Sequence, residues 1–164
     1  MNSYLIIFII IILIYISFYF IYPKSITILQ TTLNDFDFNL LLQKQPLVIG
    51  DKIKNIDDII KLWFTPNIIE SYNLVDINNK WNKNNFKYLF IYSINDTEIL
   101  LYQAGQQFIN NIPNEKEPIL AIKLKKYQSL IIPFKWHFQV QKNTDIEIIG
   151  IHDYITKLVS YVVT

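Results

Sequence analysis

The sequence predicts a mainly β domain of the α+β kind behind an N-terminal transmembrane helix. The domain is a small antiparallel barrel or sandwich, with one or two helices before it and one after. Three observations carry this. Residues 2–22 contain no charged side chain. From Phe86 onward, short runs alternate apolar and polar residues and are separated by turn residues. Helical spacing of apolar residues is confined to short stretches before and after those runs. Consecutive strands without intervening helices argue against a parallel α/β sheet.

The first element rests on length. About twenty apolar residues, rising about 1.5 Å each in a helix, match a hydrocarbon core of roughly 30 Å. Leu5, Ile10 and Leu13 sit inside this stretch, and Tyr19 and Tyr22 fall at its end, where aromatic rings favour the headgroup zone. Pro23 stops the helix and Lys24 is the first charge. A cleaved signal peptide fits less well. Its start would be basic, its apolar run shorter and its cleavage site small, yet the first Ala is Ala104. The expected organisation is a single-pass anchor over 1–24 and a β domain over 25–164. Lys24 tilts that domain toward the cytoplasm by the positive-inside rule.

Within the domain, Asn34-Asp35 can cap a short helix through about Gln43. Pro46–Ile49 reads as a buried strand ended by Gly50. Asn55 with Asp58 caps a second helix carrying Ile56, Ile59, Ile60 and Trp63 on one face. Leu74–Ile77 reads as a strand. Phe86–Ile94 is the clearest strand, with Phe86, Tyr88, Phe90 and Tyr92 on one face as barrel core, and Thr97–Gln103 is its expected hairpin partner across Asn95-Asp96. Gly105–Asn111 holds about one helical turn. Pro118–Leu124, Ser129–Ile132, Lys135–Val140 and Ile146–Ile151 are further strands. Asp153 can cap a last helix carrying Ile155, Leu158, Val159 and Val162.

Composition excludes several functions. The net charge is +1 and all 15 cations are Lys. Without Arg, the usual residue for bidentate phosphate and base-edge contacts, no nucleic-acid partner is expected. Cys is absent, so there is no disulfide, thiolate or Cys-ligated metal. No phosphate-binding glycine loop, nucleophile elbow or His-Glu-x-x-His motif occurs. Ile, Asn, Lys, Tyr and Phe are abundant while Arg, Gly and Ala are scarce, which points to an A/T-rich genome.

Residues 127–140 read Tyr-Gln-Ser-Leu-Ile-Ile-Pro-Phe-Lys-Trp-His-Phe-Gln-Val. This resembles the second motif of cupin and JmjC-type proteins, roughly Gly-Asp-x-Leu-x-Ile-Pro-x-Gly-Trp-x-His-x-Val. Leu130, Ile132, Pro133, Trp136 and Val140 match it. Gln45–Ile49 with Trp63 downstream is similar to the entry segment of cupin-like JmjC relatives. The resemblance implies a double-stranded β-helix over about residues 36–150. It also implies a metal His at 138, but that position is Phe138, and His137 is offset by one residue, hence onto the opposite strand face. The motif glycines are replaced by Tyr127 and Lys135. Neither His137 nor His152 is followed at the second position by a carboxylate, so no metal and no cofactor are expected.

The expected function is therefore a membrane-anchored, non-catalytic cupin-like protein with a structural or interaction role. Its composition and resemblance fit a protein of a host or virion membrane, encoded by an A/T-rich large DNA virus. Residues 4–22 would meet the bilayer, and the β domain a protein partner. One alternative is a small-ligand or sugar-binding module lined by Tyr88, Trp136 and His137. The other is a divergent metal-dependent hydroxylase of the 2-oxoglutarate oxygenase kind, which needs His137 and His152 in one cavity.

Overall fold

The structure is a computed structural model, which describes residues 3–23, 25–64, 80–103, 108–109, 112–114, 118–141, 145–154 and 156–157. In chain order its elements are α1 (Ser3–Phe20), β1 (Leu29–Thr31), α2 (Phe38–Leu42), β2 (Leu47–Ile49), α3 (Ile56–Phe64), β3 (Asn82–Lys83), β4 (Tyr88–Ser93), β5 (Thr97–Tyr102), β6 (Phe108–Ile109), β7 (Ile112–Pro113), β8 (Leu120–Leu124), β9 (Ser129–Pro133), β10 (His137–Val140) and β11 (Ile146–Ile151). The expected strand at Leu74–Ile77, the helix stop at Thr65-Pro66 and most of the C-terminal helix lie outside the described residues. Asp153 does cap: its carboxylate accepts from the Thr156 backbone N–H and hydroxyl at 2.6 and 2.5 Å.

Two sheets form a sandwich. One runs β1-β2-β9-β4-β11 and the other β3-β10-β5-β8. All pairs are antiparallel except β1 with β2, and β6 and β7 form a separate two-stranded ladder. The expected β4–β5 hairpin is corrected: the chain crosses at Asn95-Asp96 from one sheet to the other, and each strand pairs with later ones. It crosses again from β8 to β9, from β9 to β10 and from β10 to β11. This repeated crossing between two sheets is the pattern of jelly rolls, the architecture that cupins share with many lectin and capsid domains.

Strand alternation explains both cores. Between the sheets pack Val48, Leu89, Ile91, Leu130, Ile132 and Ile148 from one side, and Ile99, Leu101, Ile122, Leu124, Phe138 and Val140 from the other, with Trp136 among them. The opposite face of the five-stranded sheet carries Leu47, Ile49, Phe90, Tyr92, Ile131 and Ile149, covered by Leu41 of α2 and Ile56, Ile60 and Phe64 of α3. Its central strands are thus buried on both faces and read as continuous apolar runs. The aromatic face of β4 is corrected accordingly. Tyr88, Phe90 and Tyr92 belong to the cluster under the helices, while Leu89 and Ile91 fill the interior. The cap of α2 is Asp37, accepting from the Asn39 N–H, rather than Asp35, which is engaged by Thr32.

The transmembrane reading is overturned. Among the described residues no helix is long and apolar enough to cross a membrane. Helix α1 has 18 residues and so rises about 27 Å, short of a hydrocarbon core of roughly 30 Å. Its end is also tied to polar groups of the β domain. The Tyr15 hydroxyl donates to Asp153 at 2.8 Å, and the Ile21 carbonyl just beyond the helix accepts from the Lys44 ammonium at 2.8 Å. The following segment is pinned as well. Gln45 donates to the Ser25 carbonyl and accepts from the Thr27 N–H, and Gln103 donates to the Pro23 carbonyl. Leu5, Ile10 and Leu13 are therefore exposed side chains of a docked helix rather than anchor residues, and Tyr22 packs against the interior cluster. The single-pass membrane localisation falls with the anchor.

The joint between the sheets depends on Asn84, a fully buried residue in the loop-like stretch before β4. Its amide donates to the carbonyls of Ile132 and Pro133 at 2.9 and 2.8 Å, and its side-chain oxygen accepts from the Phe86 N–H. Its backbone exchanges two 2.7 Å bonds with Lys135 and Trp136. Asn84→Ala would strip buried partners costing about 1–3 kcal/mol each. It should lower the unfolding free energy by at least about 2 kcal/mol in urea titration, and an unchanged midpoint would refute this role.

Candidate functional site

The motif-like segment 127–140 has two destinations. Leu130, Ile132, Trp136, Phe138 and Val140 go to the packed interior. Trp136 is fully buried and its indole N–H donates to the Lys44 carbonyl at 3.2 Å. Tyr127 and Lys135 replace the motif glycines but keep left-handed backbones, with φ of 71° and 65°. That conformation favours Gly for want of a Cβ. The turn geometry thus survives without its usual residue.

Phe138, where the motif would hold a metal His, lies between the sheets. His137 is on the other face of its strand, opposite Lys83 on one side and Tyr102 on the other. Burial, reinforced by the Lys83 charge, pushes its imidazole down to about 4. His152 follows β11, with its ring 4.6 Å from Phe86, and its buried Nδ1 has no hydrogen-bond partner. Burial and Lys157 lower its pKa against the opposing pull of Asp153. Among the described residues, no group of three or more His, Asp or Glu is placed to hold a metal.

A cavity of about 260 Å³ lies outside the sandwich. Tyr15 of α1 and Tyr22 beyond it form one wall, Leu41, Leu42 and Lys44 of α2 and its end a second. Lys87 and Tyr88 at the start of β4, with Pro133 and Phe134 at the end of β9, complete it. Of the residues singled out in the sequence, Tyr22, Tyr88 and Pro133 line this cavity, Trp136 and Val140 are interior, and His137 faces elsewhere. Tyr88, Trp136 and His137 are not brought together. Lys44, Lys87, Tyr15 and Asn84 carry no motif. Only the cap at Asp153 had a sequence signal.

Electrostatics concentrate at one end of the cavity. Lys87 and Asp153 form a 2.6 Å ion pair, mostly shielded from solvent. Burial would lift the Asp153 carboxyl, but hydrogen bonds from Lys87, Thr156 and Tyr15 outweigh it and hold the group far below the usual carboxylate range. Burial likewise opposes the Lys87 charge, and the Asp153 carboxylate more than offsets it, raising Lys87. Burial raises the Tyr88 phenol and pushes Tyr22 up to about 12. Tyr22 Oη is buried without a hydrogen-bond partner. Lys44 is lowered by burial and sits at φ 53° just past α2, where a helix end prefers Gly.

No protein-family model matches the chain, and no curated protein does. Among solved structures it is similar to RmlC from Streptococcus suis in complex with dTDP-D-xylose, with a TM-score of 0.35 and 14% identity over 66% of this chain and 62% of that one. The chain thus spans less than two thirds of that structure's length.

The ion pair sets a pH signature. A depressed carboxyl contributes stability that is complete above its unfolded value of about 3.9 and is lost as pH falls through the folded value. Raised Lys87 contributes below about pH 10.4 and loses its contribution as pH rises through its folded value. Asp153→Asn keeps a helix cap and removes the charge. It should cost about 1–3 kcal/mol at neutral pH. The deficit should narrow progressively once urea unfolding is measured below about pH 4; a deficit independent of pH would refute the assignment.

Proposed function

We propose that this chain is a non-catalytic jelly-roll module that binds a small ligand in the outer cavity beside Lys87 and Tyr88, not between its sheets. The cavity itself carries the reading. In a jelly roll a ligand would ordinarily enter between the sheets, but here Phe138, Trp136 and their neighbours occupy that space. The outer cavity combines apolar walls with a few polar groups of fixed position, the usual constitution of a ligand site. At about 260 Å³ it is somewhat small for a drug-sized molecule and larger than the ~150 Å³ cavity that holds benzene.

The remaining readings account for less. A sugar needs polar partners around its whole rim, and Leu41, Leu42, Pro133 and Phe134 offer none through their side chains. A purely structural or protein-interaction role leaves a phenol- and lysine-lined cavity without a purpose. A hydroxylase would require His137 and His152 to share a cavity with a carboxylate. His137 instead stands on the outer face of the four-stranded sheet, and His152 follows the edge strand of the other sheet.

The experiment is NMR titration of the full chain with benzyl alcohol, a neutral one-ring probe. Shifts should gather at Leu41, Leu42, Tyr88 and Phe134. Perturbation centred on Leu101, Phe138 and Val140, or none at all, would contradict the proposal. So would full-length protein that retains stoichiometric iron and turns over 2-oxoglutarate.

A further inference from the structure

We propose that helix α1 is a hinged lid on the outer cavity, latched by the Tyr15 hydroxyl, and that a ligand in the cavity holds the lid shut. This rests on the cavity reading above and adds how occupancy of that site governs the position of the helix. The walls are of two kinds. Tyr15 belongs to α1, whereas Leu41, Leu42, Tyr88, Pro133 and Phe134 belong to the body of the domain. A ligand seated between them touches both. Apolar packing does not hold α1 to that body. Tyr4, Leu5, Ile7, Phe8, Leu13 and Ile14 are at least half exposed, and among the described residues neither buried cluster takes a side chain from this helix. Helices α2 and α3 differ, since they seat Leu41, Ile56, Ile60 and Phe64 on the five-stranded sheet. An element with few buried apolar contacts opens at low cost.

The hold is polar and lies at the C-terminal end of the helix. The Tyr15 hydroxyl donates to Asp153 at 2.8 Å and accepts from the Lys87 ammonium at 3.4 Å. Asp153 does not depend on that bond, because Lys87 and Thr156 also hold its carboxylate. The latch can therefore release without dismantling what it closes on. Beyond Phe20 the chain is fixed. The Ile21 carbonyl accepts from Lys44, Tyr22 packs against the interior cluster, and Gln103 and Gln45 donate to the carbonyls of Pro23 and Ser25. The pivot is thus the helix end, between a latched Tyr15 and a pinned Ile21. Terminal positions of elements are where hinges absorb backbone change. Opening carries Tyr15 away and leaves Tyr22 behind, so the cavity loses one wall. A ligand that touches Tyr15 as well as Tyr88 and Phe134 binds the shut form more tightly, and by linkage it shifts α1 toward that form.

Pulsed electron paramagnetic resonance on the full chain tests this. The sequence has no Cys, so nitroxides on Leu13→Cys of α1 and Lys61→Cys of α3, both exposed positions, report one distance. The labelled parent should give a single narrow distribution. Adding Tyr15→Phe, which keeps the ring and removes the hydroxyl, should raise the open-to-shut ratio about tenfold, the worth of a hydrogen bond to a charged acceptor, and broaden the distribution. Saturating benzyl alcohol should return it to the narrow one. Amide shifts of Leu101, Phe138 and Val140 that match the parent show that the sandwich is intact in the variant. Suppose benzyl alcohol shifts Tyr88 and Phe134 in the parent, yet Tyr15→Phe stays narrow without it or stays broad with it. The lid then fails and the cavity reading stands. If benzyl alcohol perturbs none of the cavity residues in the parent, both fail.

Discussion

Asn84 joins the two sheets of this protein where they would otherwise part. Strand β9 ends in one sheet and β10 begins in the other, so residues 133–136 must turn the chain across the edge of the core. That turn has backbone groups with no ladder to satisfy them, and one buried amide side chain serves several at once. With the turn fixed, Trp136 drops into the interior and Pro133 and Phe134 face outward. The indole N–H then reaches the Lys44 carbonyl and fixes the end of α2. One clamp therefore sets the packing of the interior and the shape of the cavity outside it.

The consequence is an inversion of where chemistry can occur. Two sheets enclosing a volume can hold either a site or a core, and large apolar residues at Phe138, Leu101 and Ile122 commit this one to a core. The five-stranded sheet then has a second buried face, and the helices laid on it leave a cleft at the end of β4. Polar groups gather there: the phenols of Tyr15, Tyr22 and Tyr88, two ammonium groups and the Asp153 carboxylate. Helix α1 is part of that arrangement through Tyr15, which is why its apolar length misleads.

Much of the fold was legible in the residues. The strands from β8 to β11 fall where period-two patterning places them, and Asn55 caps α3 as its spacing implies, accepting from the Asp57 N–H. The offset of His137 from the motif position was also readable, since alternation along a strand is a local property. What escaped was non-local. Patterning marks β4 and β5 as strands but says nothing of their partners, so a local hairpin was expected where the chain changes sheets. The faces of β4 were both apolar, and only the tertiary position of α3 decides which lies inside. Asn84 carries no sequence signal because its value lies in partners some fifty residues away. The cavity is assembled from four separate stretches of chain, and though Tyr22, Tyr88 and Pro133 stood out singly, nothing in the sequence says that they meet.

The central claim is that space for a ligand exists outside the sandwich and not within it. A crystal of the full chain pressurised with xenon tests this directly, because xenon enters apolar voids without needing any polar contact. The expected result is xenon density between Tyr88 and Phe134, with none between the two sheets. Xenon lodged among Leu101, Phe138 and Val140, with the outer cavity empty, would contradict it.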